Sequence, residues 1–227
     1  ERREPLALVT GLAGCGKSTL LARFGKHLER SGATPVRVRS GQTFPEDLLI
    51  EIASQLGCPM AGNRSTPQLW LSVKDQLAVH QLEQRHVVLL VDHAEQLSAE
   101  VVSLLRTIIR QRNPDGCGLT TFLAMAPDQV AKLDPQLREM AALRIELEPW
   151  SEADVAQYLK AAFPAQAAGF SQQAITTLHR RSGAVARRVA ALADLVSMVA
   201  ADEKETPIEP DLIEQVGDEL LAQAGAI

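Results

Sequence analysis

The sequence predicts a three-layer α/β fold: a parallel five-stranded sheet between helices, followed by an all-helical C-terminal domain. Three observations carry this. Short apolar runs alternate with helical patterns up to about Pro149, and then the strand patterns stop. The run Val87-Val88-Leu89-Leu90-Val91 is apolar at every position, as in a parallel strand covered on both faces. Aromatic residues are only 4 % of the 227-residue chain, so the core must be built from Leu, Val, Ile and Ala, which suits helices and buried parallel strands better than a sandwich.

Each element has its own signal. Leu6 to Thr10 is a short apolar run ending at glycine and reads as the first strand. Gly11 to Ser18 is a Gly-rich loop, and Thr19 to Arg30 repeats apolar residues with helical spacing until Ser31-Gly32. Pro35 to Arg39 alternates like a strand with one polar face. Pro45 to Leu56 is a helix closed by Gly57, and Thr66 is the expected cap of a helix reaching about Gln84, with Pro67 at its first position. After the apolar strand, Ser98 to Arg112 is an amphipathic helix, Asn113-Pro114-Asp115-Gly116 a turn, and Leu119 to Ala126 a buried strand. Asp134 to Ala142 is a short helix and Leu143 to Leu147 the last strand. Beyond Pro149, Ser151 and Asp154 form a capping box with Asp where Glu is usual. Ser171 caps the next helix, Gly183 begins a long one to about Ala201, and Pro210 starts the last. The resulting division is 1–149 for the α/β core and 150–227 for the helical domain.

Composition excludes several classes. Hydrophobic residues at 46 % and charged residues at 22 % rule out a disordered chain. The apolar runs fall short of the roughly 20 residues that span a bilayer, and Glu1-Arg2-Arg3-Glu4 is no signal peptide. Cys15, Cys58 and Cys117 are scattered without metal-ligand spacing and read as free thiols in a reducing compartment. A net charge of -5 argues against bulk attraction to nucleic acid and leaves room for a local basic patch.

The chemistry is concentrated in two places. Gly11-Leu12-Ala13-Gly14-Cys15-Gly16-Lys17-Ser18 matches G-x-x-x-x-G-K-[ST] at every defined position, between an expected strand and an expected helix. Glycines let backbone N–H groups turn inward around phosphate oxygens, and the helix start adds partial positive charge. Lys17 then reaches the β- and γ-phosphates of ATP, Ser18 offers a hydroxyl to Mg²⁺, and Thr19 completes the nucleotide-binding stretch. Cys15 is either a small residue tolerated in the loop or, at a helix start, a thiol of lowered pKa. The second place is Asp92, which ends the apolar strand and is expected beside the loop, holding Mg²⁺ through water. The residue after it usually supplies a carboxylate that orients the attacking water. Here it is His93, a different kind of base, with Glu95 as a second candidate.

With these residues in view, the chain resembles the AAA+ superfamily, and within it the general secretion pathway protein A (ExeA-like) ATPases and the related transposition ATPases. The stretch Leu89 to Ser98 is similar to their "LLIDEAQ-L-S", Met125 to Gln129 to their strand and "G-Q-P-E-L", and Arg144-Ile145 with Pro149 to Asp154 to "R-I" and "P-L-S-x-x-E". Ser182 to Ala190 resembles the lid motif "S-G-G-x-P-R-x-I-N". The resemblance implies ATP and Mg²⁺ as ligands, ATP hydrolysis, and a homo-oligomeric ring or filament. It implies Arg187 as the lid arginine directed at the γ-phosphate, ahead of Arg188, and Arg144 as a finger acting on a neighbouring subunit, with Arg138 as competitor. It also implies a protein partner in an envelope or secretion machine, or alternatively DNA, and a cytoplasmic domain of a longer, membrane-associated protein. Arg37, Arg39, Arg106, Arg110, Arg112, Arg180, Arg181, Arg187 and Arg188 are the candidates for a basic stripe on DNA. Two departures, His93 at the catalytic carboxylate and Ala126 at the polar position ending the fourth strand, imply slow turnover or a nucleotide switch. The chain also starts almost at its first strand, where the resemblance implies a preceding segment.

Overall fold

The computed structural model describes residues 5–38, 41, 44–59, 65–110, 119–164, 169–203 and 207–224. Glu1 to Glu4, Arg39, Arg112, the turn Asn113 to Gly116 and Cys117 lie outside these described residues. Contacts divide the chain into two compact units, Glu1–Gly11 with Lys17–Leu147, and Leu12–Gly16 with Glu148–Ile227.

The first unit holds β1 (Leu6–Gly11), α1 (Lys17–Arg30), β2 (Thr34–Val38), α2 (Pro45–Gln55), α3 (Thr66–Leu82), β3 (Val87–Val91), α4 (Ala99–Arg110), β4 (Leu119–Met125), α5 (Pro135–Met140) and β5 (Ala141–Leu147). Short 3₁₀ turns follow β3 and β4 at Ala94–Gln96 and Pro127–Lys132. The strands form one parallel sheet in the order β2-β3-β4-β1-β5. Its two faces sort by the two-residue period of a strand. Val87, Leu89 and Val91 of β3 point with Leu6 and Leu8 of β1 into the larger core, under α2, α3 and α4. Val88 and Leu90 point the other way, with Val9, to meet Leu21 of α1. Phe24 of α1 and Phe122 of β4 close that layer edge to face, ring centres 4.9 Å apart.

The sheet's β2 edge is closed by a side chain. Gln55, the last residue of α2, accepts from Arg37 N–H at 2.8 Å and donates to Arg37 C=O at 2.7 Å, standing in for a neighbouring strand.

The second unit contains α6 (Glu152–Ala162), α7 (Gln172–Ser182), α8 (Ala186–Glu203) and α9 (Pro210–Ala224). It has its own core, with Val155, Leu159, Leu178, Val189, Val196 and Ile213 essentially buried. The capping box expected at Ser151 is formed: Ser151 N–H and Oγ–H donate to Asp154 Oδ2 at 2.8 and 2.6 Å, and Asp154 N–H donates to Ser151 Oγ at 3.2 Å. Ser151's hydroxyl and backbone bonds hold the Asp154 carboxyl below its ordinary range. Ser171 caps α7 as expected, accepting from Ala174 N–H at 3.1 Å.

Several boundaries differ from the sequence reading by a residue or two, and three of the differences have a clear local cause. The cap of α3 is Ser65, whose extended backbone (φ -70°, ψ 155°) and N–H bond to Gln68 Oε1 at 3.0 Å put Thr66 inside the helix. Gly183 does not begin α8. It closes α7 in the left-handed conformation (φ 61°), Ala184 follows at φ 60°, and α8 starts only at Ala186, since two left-handed residues cannot continue a right-handed helix. β5 begins at Ala141, two residues early, because Ala141 and Leu143 already pair with Leu6 and Ala7 across an irregularity in register.

Two stability predictions follow from buried and capping groups. Thr121 is 0 % exposed and its hydroxyl has no partner among the described residues. Thr121→Val should therefore raise stability, by about 1 kcal/mol, in urea unfolding. The depressed Asp154 carboxyl contributes stability that is present above its unfolded pKa and lost as pH falls through its lower folded value. The stability difference between wild type and Asp154→Asn should be constant at neutral pH and shrink below about pH 4.

Candidate nucleotide site

The strand-loop-helix turn is where the first chemistry sits. β1 ends at Gly11 and α1 begins at Lys17. Lys17 is 8 % exposed, and its Nζ donates to the Gly11 carbonyl at 2.7 Å, so the ammonium is held at the end of β1. Gly16 has φ 106°, which an L side chain rarely adopts, and among the described residues no neighbouring heavy atom lies within 4 Å of where a Cβ would stand. The loop thus needs glycine for its backbone path and keeps open space beside it. Within the second unit, Cys15 N–H donates to Leu12 C=O at 3.2 Å and the Cys15 thiol is free and buried. Leu12 and Ala13 are exposed. Arg187, the second residue of α8, donates its backbone N–H to Gly14 C=O at 3.0 Å, and a Cβ on Gly14 would stand 3.1 Å from the Arg187 Cβ. Ser18 and Thr19, in the first turn of α1, are exposed.

The acidic strand end lies in the same unit as Ser18. Ser18 and Asp92 line one cleft of about 420 Å³, together with Leu21, Ala22, Arg37, Val38 and Leu90. Asp92 Oδ1 accepts from His93 N–H at 3.0 Å. His93 adopts φ 49°, ψ 48°, a left-handed conformation uncommon outside glycine, and opens the 3₁₀ turn that carries Glu95. Its ring Nδ1 is 3.4 Å from Glu95 Oε1, and its Nε2 is 4.0 Å from Asp92 Oδ2. Ala126 directly follows Met125, the β4 residue paired with Thr10. It sits at the same sheet edge as Gly11 and presents only a methyl group.

The donor set fits a nucleoside triphosphate and its magnesium ion. A helix start and a buried ammonium suit phosphate oxygens. The Ser18 hydroxyl and Asp92 carboxylate are hard oxygen donors of the kind Mg²⁺ takes, together with phosphate and water. Among the described residues no group of three or more His, Cys, Asp or Glu side chains could hold a metal ion.

The remaining arginines are placed differently. Arg144 is exposed in the middle of edge strand β5, paired in register with Leu8 and three residues short of the strand's end. Arg138 lies in α5, half-buried. Much of the expected basic stripe has internal partners. Arg37 pairs with Glu29 at 3.0 Å, and Arg106 with Asp134 at 3.1 Å, while Arg110 donates to Gln136 at 2.8 Å. Arg180 and Arg181 share Glu214, and Arg181 also holds Asp218 at 2.5 Å. Among the described residues, Arg187 and Arg188 make no ion pair, and Arg39 and Arg112 lie outside those residues.

The sequence reading offered Arg37 as one residue of a basic stripe, and in the structure it also walls the cleft beside Ser18 and Asp92. A signal was present in Gly25 of α1: a Cβ there would stand 2.8 Å from Arg37 Nη2, so the helix is small where the guanidinium crosses it. The backbone conformation of His93 had no sequence signal.

Comparison with known proteins places this geometry. A family model described as an AAA domain matches residues 1–134, more than half of the chain. General secretion pathway protein A of Aeromonas hydrophila is 28 % identical over 202 residues, which cover 85 % of this chain and 36 % of that protein. The fold is similar to that of Cdc6p from Pyrobaculum aerophilum (TM-score 0.73, 17 % identity, 96 % of this chain and 61 % of that one). It is also similar to the Aeropyrum pernix ORC1 protein, solved in complex with DNA (TM-score 0.69, 16 % identity, 94 % and 59 %). A third similar structure is the Thermotoga maritima RuvB Holliday junction branch migration motor (TM-score 0.62, 18 % identity, 97 % and 63 %). The chain therefore spans about a third of the curated relative and less than two thirds of each of these solved chains. Among the described residues no helix is long and apolar enough to cross a membrane. Its parallel sheet, the loop between β1 and α1 and the match over most of the sheet-bearing region agree: the chain belongs to the AAA domain family of P-loop proteins.

Proposed function

We propose that this chain is an ATPase domain, converting ATP and water to ADP and phosphate slowly, whose nucleotide state drives self-assembly and through it the assembly or remodelling of a partner complex. The observation that carries the reading is the shared cleft of Ser18 and Asp92 one residue from the buried, Gly11-bound Lys17. Residues 1–149 act as the nucleotide core and 150–227 as a helical lid.

The roles follow from the chemistry of each group. Backbone N–H groups from Gly11 to Thr19, at the start of α1, hold the phosphates. Lys17 exchanges the Gly11 carbonyl for a phosphate oxygen. Ser18 and Asp92 would hold Mg²⁺, which when bound offsets negative charge on the β- and γ-phosphates. His93 stands where a carboxylate would orient water, and Ala126 offers no hydrogen bond there, so water is less strictly positioned and turnover is slow. Arg187 answers to the γ-phosphate from the lid, and exposed Arg144 acts on a neighbouring copy in a ring or filament. The partner is a protein of a secretion or envelope machine, a reading supported by the similarity to general secretion pathway protein A. The His93 and Ala126 substitutions also favour a second reading, a nucleotide switch that binds ATP without turnover.

Calorimetric titration with ATP and Mg²⁺ tests the first level. Lys17→Ala should weaken ATP at least tenfold, about 1.4 kcal/mol, and absence of binding by the wild-type chain would sink the proposal. Gly16→Ala should also lose binding, because the φ of 106° costs an alanine about 1–3 kcal/mol and the loop relaxes away from that path. Hydrolysis measured against protein concentration, with and without DNA, tests the second level. Turnover per chain should rise with concentration and fall by orders of magnitude, up to about 10³, in Arg144→Ala with ATP affinity unchanged. Background-level turnover alongside tight binding would select the switch, and stimulation by DNA would move the partner assignment to nucleic acid.

A further inference from the structure

We infer that Arg37 is a specificity-determining residue that distinguishes a triphosphate from a diphosphate: its guanidinium, held by Glu29 in this structure, exchanges that carboxylate for the γ-phosphate of ATP. The inference rests on the ATP reading above and gives a role to a cleft-lining cation which that reading leaves unused.

Strand pairing brings Arg37 to the cleft. Arg37 of β2 lies in register with Leu90 of β3, and Asp92 N–H donates to Val38 C=O at 3.4 Å, so the two strands stay paired up to the acidic residue. Residues two apart on a strand share a face. Arg37, Leu90 and Asp92 therefore all face α1, where Leu90 meets Leu21. Two residues of strand rise and one strand spacing put the Cα atoms of Arg37 and Asp92 about 8 Å apart, a distance that an extended arginine side chain nearly spans. The guanidinium instead turns toward the far end of α1, where its Nη2 is 3.0 Å from Glu29 Oε1. It crosses the helix at Gly25, where a Cβ would stand 2.8 Å from Nη2. One turn nearer Ser18, Ala22 lines the cleft with only a methyl group. No bulky side chain of α1 stands on this line between Glu29 and Ser18.

Charge decides which partner holds the guanidinium. The side chains of Arg37 and Glu29 are 47 % and 52 % exposed, and ion pairs so open to water contribute little. A γ-phosphate carries more charge than one carboxylate, and two of its oxygens match the planar guanidinium fork. ADP lacks that phosphate and leaves Arg37 on Glu29. The exchange does not disturb the sheet edge, because the bonds that Gln55 makes to position 37 go to the backbone N–H and C=O. Glycine inside a helix is less favourable than alanine, and what Gly25 provides in return is room for the guanidinium.

Calorimetric titration with Mg²⁺ and either a non-hydrolysable ATP analogue or ADP reads this discrimination without turnover. Arg37→Ala should weaken the analogue about tenfold and leave ADP unchanged. Glu29→Gln, which releases the guanidinium, should tighten the analogue about threefold, leave ADP unchanged, and have no effect in an Arg37→Ala background. An ion pair with a structural role alone predicts the opposite for Glu29→Gln, weaker binding of both nucleotides. NMR of the ¹⁵N-arginine-labelled wild-type chain gives a measurement that does not depend on the alanine variant folding. The Arg37 Nε–H signal, assigned by its loss in Arg37→Lys, should shift with the analogue and stay in place with ADP. Equal losses for the analogue and ADP in Arg37→Ala, weaker analogue binding in Glu29→Gln, or an Arg37 signal that responds alike to both nucleotides would overturn the inference and leave the ATP reading standing. A wild-type chain that binds neither nucleotide would overturn both.

Discussion

The 2.7 Å bond from Lys17 Nζ to the Gly11 carbonyl is the contact on which the rest of the site depends. It joins the last residue of a central strand to the first residue of the helix that follows it, across the loop between them. A buried ammonium with no acceptor would cost several kcal/mol, so the carbonyl that ends β1 keeps the charge in place. β1 lies between β4 and β5 in the sheet, which makes its C-terminal end rigid. The positions of Ser18 and Asp92 in a common cleft follow from that rigidity, because α1 packs through Leu21 and Phe24 on the same sheet face that Leu90 and Phe122 present.

The acidic strand end shows how a substitution changes a site's design. With His at position 93, the chain uses three side chains, Asp92, His93 and Glu95, linked through one backbone and one ring hydrogen bond. The left-handed backbone of His93 is part of this arrangement. A strand that ran straight on would carry the imidazole away from the Glu95 turn.

The arginines illustrate a different constraint. In sequence they read as a stripe, but most of them hold parts of the fold together. Arg106 braces the Asp134 cap of α5, whose Oδ1 accepts from Gln136 and Leu137 N–H at 3.0 and 3.1 Å. Arg180 and Arg181 tie α7 to α9 through Glu214 and Asp218. Charges already paired within the fold contribute less to an external field than their number suggests.

The sequence by itself determined the architecture and the phosphate loop. The uninterrupted apolarity of β3 and the spacing of glycines before Lys17 are local patterns, and local patterns fix strand, turn and helix without reference to distant residues. The same holds for the caps at Ser151 and Ser171. What failed locally failed for a local reason: Gly183 sits between two helical patterns, and spacing cannot tell a helix start from a left-handed stop. Tertiary structure alone decided the strand order, the closing of the β2 edge by Gln55, the place of Arg37 in the wall of the cleft and the pairing of His93 with Glu95 rather than with Asp92. These depend on backbone conformation and on packing between elements far apart in the chain, where differences of a few tenths of an ångström separate a hydrogen bond from a mere neighbour.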